Sequence, residues 1–120
     1  MQKYPKAIGP YSIFRIKNGF LYASGQLPID SEKGELVSES IPKETEQSLK
    51  NVKAILEENG FSLDDVVKTT VFLSDIAHFA PMNEVYSKFF SPPYPARSVI
   101  GVKNLPLGAN VEIEVIASKG

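Results

Sequence analysis

The segment Ser91-Pro92-Pro93-Tyr94-Pro95 constrains this chain more than any other. Proline fixes φ, lacks an amide donor and pushes its predecessor into extended backbone, so no helix can run through this stretch. The apolar residues before it (Phe79, Met82, Val85, Tyr86, Phe89 and Phe90) recur at helical spacing and must belong to a helix that stops there. Beyond Pro95 the chain restarts as extended backbone, and Ala96 to Val102 reads as a strand. A helix handed to a strand across a stiff elbow belongs to a mixed fold, not to a helical bundle.

The other elements agree. Ser12, Phe14 and Ile16 alternate with Ile13, Arg15 and Lys17, Asn18-Gly19 supplies the residues of a type I′ turn, and Phe20 to Ala23 return. This predicts a hairpin over 12–26. Residues 28–40 read as a loop, with a short strand at Leu36-Val37. A first helix starts at Ser40 as N-cap with Pro42 in its first turn, and Thr45, Leu49, Val52, Ile55 and Leu56 form its apolar stripe up to Gly60. Ser62 to Asp65 read as a capped turn before the β-rich run Val66 to Leu73. Asp75 and Pro81 mark the start of the second helix, and Ala109 to Ala117 form the last strand. The order ββ(β)αβαββ is an α+β fold in one domain, residues 1–120, with two helices packed on one face of the sheet.

The opposite sheet face is apolar too. In the last strand Val111, Ile113, Val115 and Ala117 point one way, and Glu112, Glu114 and Ile116 the other. A sheet covered on one side but apolar on both implies an oligomer.

Composition narrows the chemistry. The 120 residues contain no cysteine and one histidine, His78, which excludes a disulfide framework, a thiolate metal site and a cysteine nucleophile. A net charge of −1 gives no basic field for nucleic acid. No apolar run approaches membrane-spanning length, so a soluble, cytoplasmic protein without a membrane partner is expected. Reactive groups must then come from Arg, Glu, Ser, Tyr, Asn and the backbone.

Arg97, at the mouth of a strand, is placed to hold a planar carboxylate through two parallel hydrogen bonds, or else to pair with Glu112. Glu112 and Glu114 share one strand face, about 6.5–7 Å apart. A glutamate beside an arginine would stay ionised and could orient a water. Ser24 ends a strand, and Gly25 after it permits close approach of a ligand or backbone. Tyr11 follows the stiff Gly9-Pro10 pair, and Asn83 reads as a helix-surface amide. Phe79, Tyr86, Phe89 and Phe90 read as the core face of the second helix, and His78 as a turn or capping residue.

Six segments then stand in order: Ala7-Ile8-Gly9-Pro10-Tyr11-Ser12, Ala23-Ser24-Gly25-Gln26-Leu27-Pro28, Val67 to Leu73 with Asp75, Met82 to Tyr86, Pro95-Ala96-Arg97-Ser98, and Leu105-Pro106 with Val111-Glu112-Ile113-Glu114. With them the chain closely resembles the reactive intermediate deaminase family (RidA, also called YjgF) from about residue 7 to 117. The resemblance implies a chorismate-mutase-like fold and a homotrimer with ligand clefts between subunits. It also implies hydrolysis of 2-imino acids, such as 2-iminobutanoate and 2-iminopropanoate, to 2-oxo acids and ammonia, with neither metal nor cofactor. These imines leak from pyridoxal-phosphate dehydratases. In the same reading Arg97 is similar to the family's carboxylate-binding arginine and Glu112 to its water-positioning glutamate. Tyr11, Ser24, Gly25, Asn83 and the backbone at Val99 would line the substrate. Val99 stands where many members carry cysteine. Two other readings accompany the family: a non-catalytic trimer that binds 2-oxo acids as a regulator, and a ribonuclease or translation inhibitor. The charge and the lone histidine argue against the last.

Overall fold

The computed structural model describes residues 2–120. Among them seven strands and two α-helices succeed one another: β1 (Phe14–Lys17), β2 (Phe20–Gln26), β3 (Ile29–Asp30), β4 (Glu35–Leu36), α1 (Ile41–Glu58), β5 (Val66–Leu73), α2 (Phe79–Phe89), β6 (Ala96–Gly101) and β7 (Val111–Ser118). The main sheet has the order β1-β2-β7-β5-β6; β5 and β6 run parallel and the other pairs antiparallel. Both helices pack on one face.

Local chemistry explains the element ends. Asn18 (φ 53°) and Gly19 (φ 80°) take the positive φ values that a I′ turn requires, so β1 and β2 form the expected hairpin. The Ser40 hydroxyl caps α1 by accepting from the Lys43 amide at 3.2 Å, and Gly60 at φ 79° lies just past the helix end. Leu49, Val52, Ile55 and Leu56 are fully buried against Leu21, Val71, Leu73, Val111 and Ile113. Burying each such side chain stabilises the fold by roughly 1.5–3 kcal/mol, and these layers make the core.

Several boundaries differ from the sequence expectation. The strand expected at Leu36-Val37 is Glu35–Leu36, and it pairs with an unforeseen partner, Ile29–Asp30. Asp75 caps a 3₁₀ turn at Ile76–His78 rather than α2 itself, its carboxylate accepting from the Ala77 amide at 2.9 Å. The final strand starts at Val111, because a further 3₁₀ turn, Pro106–Gly108, precedes it, with the Gly108 and Ala109 amides donating back to the Leu105 and Pro106 carbonyls.

One buried acid ties the layers together. Glu44 on α1 is 1% exposed and accepts both the backbone amide and the side-chain amide of Asn110, each at 2.8 Å. Asn110 in turn accepts from the Ser74 hydroxyl at 2.7 Å. The start of β7 is thereby fixed to α1 and to the end of β5.

Candidate active site

Sheet parity decides where the candidate residues point. On β5, Thr69 pairs with Arg97 of β6 on one side and with Val115 of β7 on the other. Partners directly across a ladder share a face, and Val115 lies under the helices, so Arg97 stands on the helix-covered face. Val99, paired with Val71, stands there too. Because β6 is an edge strand, the Arg97 side chain reaches past the core to α2.

There it meets three residues at helical spacing. The guanidinium carbon lies 4.6 Å from the Tyr86 ring centre and 5.5 Å from that of Phe79, and Nη1 donates to Asn83 Oδ1 at 2.7 Å. The Tyr86 hydroxyl shares a buried 2.8 Å hydrogen bond with Thr69, which locks the ring. Burial pushes the Tyr86 hydroxyl up from its ordinary value, while Thr69 and Arg97 oppose the shift. Among the described residues, no carboxylate lies within 4 Å of Arg97. An arginine oriented by two rings and an amide keeps most of its five donors for a carboxylate from outside.

Glu112 occupies the other face. Its neighbours Val111 and Ile113 are fully buried toward the helices, so Glu112 projects from the open side of the sheet, as does Glu114. It packs on Gly25, where β2 departs from regular pairing with β7. A Cβ on Gly25 would sit 2.5 Å from Glu112 Oε2 and 2.8 Å from its carboxyl carbon, so only glycine leaves the carboxylate its place. Burial first, and then the negative charge of Glu114, pushes the Glu112 carboxyl above its ordinary value. Beside it, the Ser24 hydroxyl donates to the Ser12 carbonyl at 2.6 Å, holding the end of β2 to the segment that carries Tyr11.

The candidates therefore form two groups: Arg97, Asn83 and Val99 on the helix side, and Glu112, Gly25, Ser24 and Tyr11 around the open side and its rim. Three sequence expectations need correction. Glu112 is not an ion-pair partner of Arg97 within one chain, and its carboxyl is pushed up rather than held ionised by an arginine. Asn83 is not an idle surface amide but the acceptor that fixes Arg97. Phe79 is not core; it is 37% exposed and lies beneath the guanidinium. Sequence reasoning also missed the Tyr86 stack and the Glu44–Asn110 clamp two residues before Glu112. The 79/83/86 spacing beside a strand arginine was the available signal for the stack. Among the described residues, no cluster of His, Cys, Asp or Glu could hold a metal ion, and no helix is long and apolar enough to cross a membrane.

This fold belongs to a known class. The family profile described as Endoribonuclease L-PSP matches residues 1–119, and the chain is a member of that family, which is the YjgF/RidA family. It is 49% identical over 118 residues to a RutC family protein of Pyrococcus abyssi, covering 98% of this chain and 93% of that one. It is 43% identical over 118 residues to human 2-iminobutanoate/2-iminopropanoate deaminase, covering 98% and 86%. The crystal structure of Escherichia coli TdcF with bound serine superposes with a TM-score of 0.93 at 39% identity, covering 100% of this chain and 96% of that one.

Proposed function

We propose that this protein is an enamine/imine deaminase that hydrolyses small 2-imino acids, such as 2-iminobutanoate and 2-iminopropanoate, to 2-oxo acids and ammonia. The observation that carries this reading is Arg97, a stacked and oriented guanidinium with no acidic partner among the described residues. It would hold the substrate carboxylate by two parallel charge-assisted bonds, each worth about 1.5–3 kcal/mol. Glu112 would accept a proton from the attacking water, and its raised basicity suits that role. The water oxygen bonds to the imine carbon and the proton that Glu112 takes from it is passed to the nitrogen, giving a carbinolamine; the hydroxyl proton then follows to the nitrogen as the C–N bond breaks, leaving the 2-oxo acid and ammonia. Tyr11, Ser24, Gly25, Asn83 and the Val99 backbone would line the bound substrate. The human relative named for this reaction, and the relative solved with an amino acid bound, support the same ligand class.

Because Arg97 and Glu112 occupy opposite faces of one sheet, a complete site needs two subunits. The exposed aromatic and aliphatic side chains of the open face, Phe20, Tyr22 and Ile100, suit an interface between copies, and we read the assembly as a homotrimer. No metal, cofactor, nucleic acid or membrane enters this scheme, and a cytoplasmic location is proposed with it. The test couples the protein to a threonine dehydratase and follows imine decay. Arg97→Ala should lower kcat/KM by roughly 10²–10⁴-fold, the equivalent of the two charge-assisted bonds it would make. An undiminished rate would overturn the assignment, and binding of 2-oxo acids without any acceleration would assign the regulatory reading instead.

A further inference from the structure

We infer that the buried Thr69–Tyr86 hydroxyl pair is a positioning device for Arg97: it fixes the ring on which the guanidinium lies, and thereby how tightly Arg97 holds a substrate carboxylate. The inference rests on the reading of Arg97 as the carboxylate-binding group and adds two residues that act through it.

Three links close a loop. Thr69 lies directly across the parallel ladder from Arg97. Its hydroxyl shares the 2.8 Å hydrogen bond with Tyr86 on α2, and the Tyr86 ring centre lies 4.6 Å from the Arg97 guanidinium carbon. The ring is thus tied to the same strand pair that carries the arginine. A shift of α2 against the sheet would have to break this hydrogen bond before the ring could leave the guanidinium. Phe90 packs on Tyr86 with ring centres 4.7 Å apart, which limits the tilt of the ring. Phe79 shows what the hydroxyl adds. It has none, its ring centre is farther from the guanidinium carbon at 5.5 Å, and it is 37% exposed.

The surroundings of the pair add an independent observation. Thr69 is fully buried and Tyr86 nearly so, yet the same face of β5 continues with Val71 and Leu73, and the β7 partner of Thr69 is Val115. In that aliphatic layer a hydroxyl is costly unless partnered, whereas valine has nearly the shape of threonine and phenylalanine nearly that of tyrosine. Replacing both partners of a buried hydrogen bond by apolar groups of the same shape is close to neutral for stability. The fold therefore does not require the two hydroxyls. What they hold in place is the ring, and what lies on the ring is Arg97.

The test compares wild type with the Thr69→Val/Tyr86→Phe double variant and with Thr69→Ser, which keeps the hydroxyl. In calorimetric titration with 2-oxobutanoate the double variant should bind about 3- to 10-fold more weakly, the worth of one buried hydrogen bond, and Thr69→Ser should stay close to wild type. In imine hydrolysis the loss should fall on KM with kcat little changed, because the arginine holds substrate and transition state alike. The unfolding midpoint of the double variant should stay level or rise. Side-chain NMR supplies a readout that a purely structural role would not move: the Arg97 guanidinium protons, displaced by the ring beside them, should shift toward the positions of free arginine in the double variant. A double variant that binds 2-oxobutanoate as wild type does overturns the proposal. So does weaker binding with unmoved guanidinium resonances, or weaker binding that merely follows a lowered midpoint. If wild type leaves imine decay at the uncatalysed rate, the deaminase reading fails by itself, and the titration and the NMR shifts still decide the positioning role. A wild type that binds no 2-oxobutanoate overturns that role as well.

Discussion

The arginine and glutamate halves of the site are built by opposite means. Arg97 is held by addition: two rings, an amide and a locked tyrosine hydroxyl crowd around an otherwise exposed cation on an edge strand. Glu112 is held by subtraction, in the space a missing side chain leaves at Gly25, with the start of its strand anchored by the Glu44–Asn110 clamp. A guanidinium is weakly hydrated and tolerates stacking, so it can be oriented without losing its charge. A carboxylate moved out of water gains basicity. One half thus presents an oriented cation, and the other a carboxyl that the proposed reaction would use as its base. They lie on opposite sheet faces, so in the proposed reaction they would act together across a boundary between copies.

The largest effect should come from separating and recombining the halves. Arg97→Ala and Glu112→Gln should each be nearly inactive in imine hydrolysis, the latter by about 10²–10⁴-fold as general-base losses run. Unfolded together and refolded as a 1:1 mixture, they should recover about a quarter of wild-type activity, because half of the arginine halves meet half of the glutamate halves intact in a symmetric oligomer. Recovery no greater than the sum of the separate proteins would place both halves in one chain and break the comparison.

A smaller effect should come from filling the gap at Gly25. Gly25→Ala places a methyl where the Glu112 carboxylate now lies, and the flexible glutamate can swing away. Activity should fall by roughly 10²-fold, as misplacing a catalytic group by an ångström does, with only a modest change in unfolding midpoint. Carboxylate binding at Arg97, measured with a 2-oxo acid, should weaken far less. Equal losses in both readouts would mean that the two halves are not independently built.

Much of the fold was legible because its signals are local. The prolines after Phe90, the Asn18-Gly19 turn, the Ser40 cap and the 3.6-spaced stripe of α1 each act within a few residues of themselves. The candidate residues were legible one by one, since Arg97 comes after a rigid segment and Glu112 alternates with valine and isoleucine. Their separation was not. Ala-Arg-Ser-Val-Ile-Gly in β6 has no alternation from which to read a face, and the face is set by Thr69 pairing with residues 28 and 46 positions away. Glu44 was equally hidden. An acid in the first turn of a helix reads as a partner of the helix dipole, and only the fold brings Asn110, 66 residues on, within 2.8 Å of it.

The smallest expected effect separates the two halves by pH alone. A carboxyl pushed up by burial keeps its proton in the folded protein at pH values where the unfolded chain has already lost its own. Across that window the native state binds more protons, so the contribution of Glu112 to stability is whole below about pH 4, near the ordinary glutamate value, and is lost as pH rises through the folded value. Glu112→Gln removes the titration. Its unfolding midpoint, relative to wild type, should therefore rise with pH and then level off, and Glu114→Gln should give a weaker change of the same sign by removing the neighbouring charge. Arg97→Ala should give a difference that stays flat over the same range, because a guanidinium does not titrate there. A Glu112→Gln difference that stays flat or falls with pH would show a solvated carboxylate, and the contrast between a stacked cation and a desolvated base would collapse to one of position only.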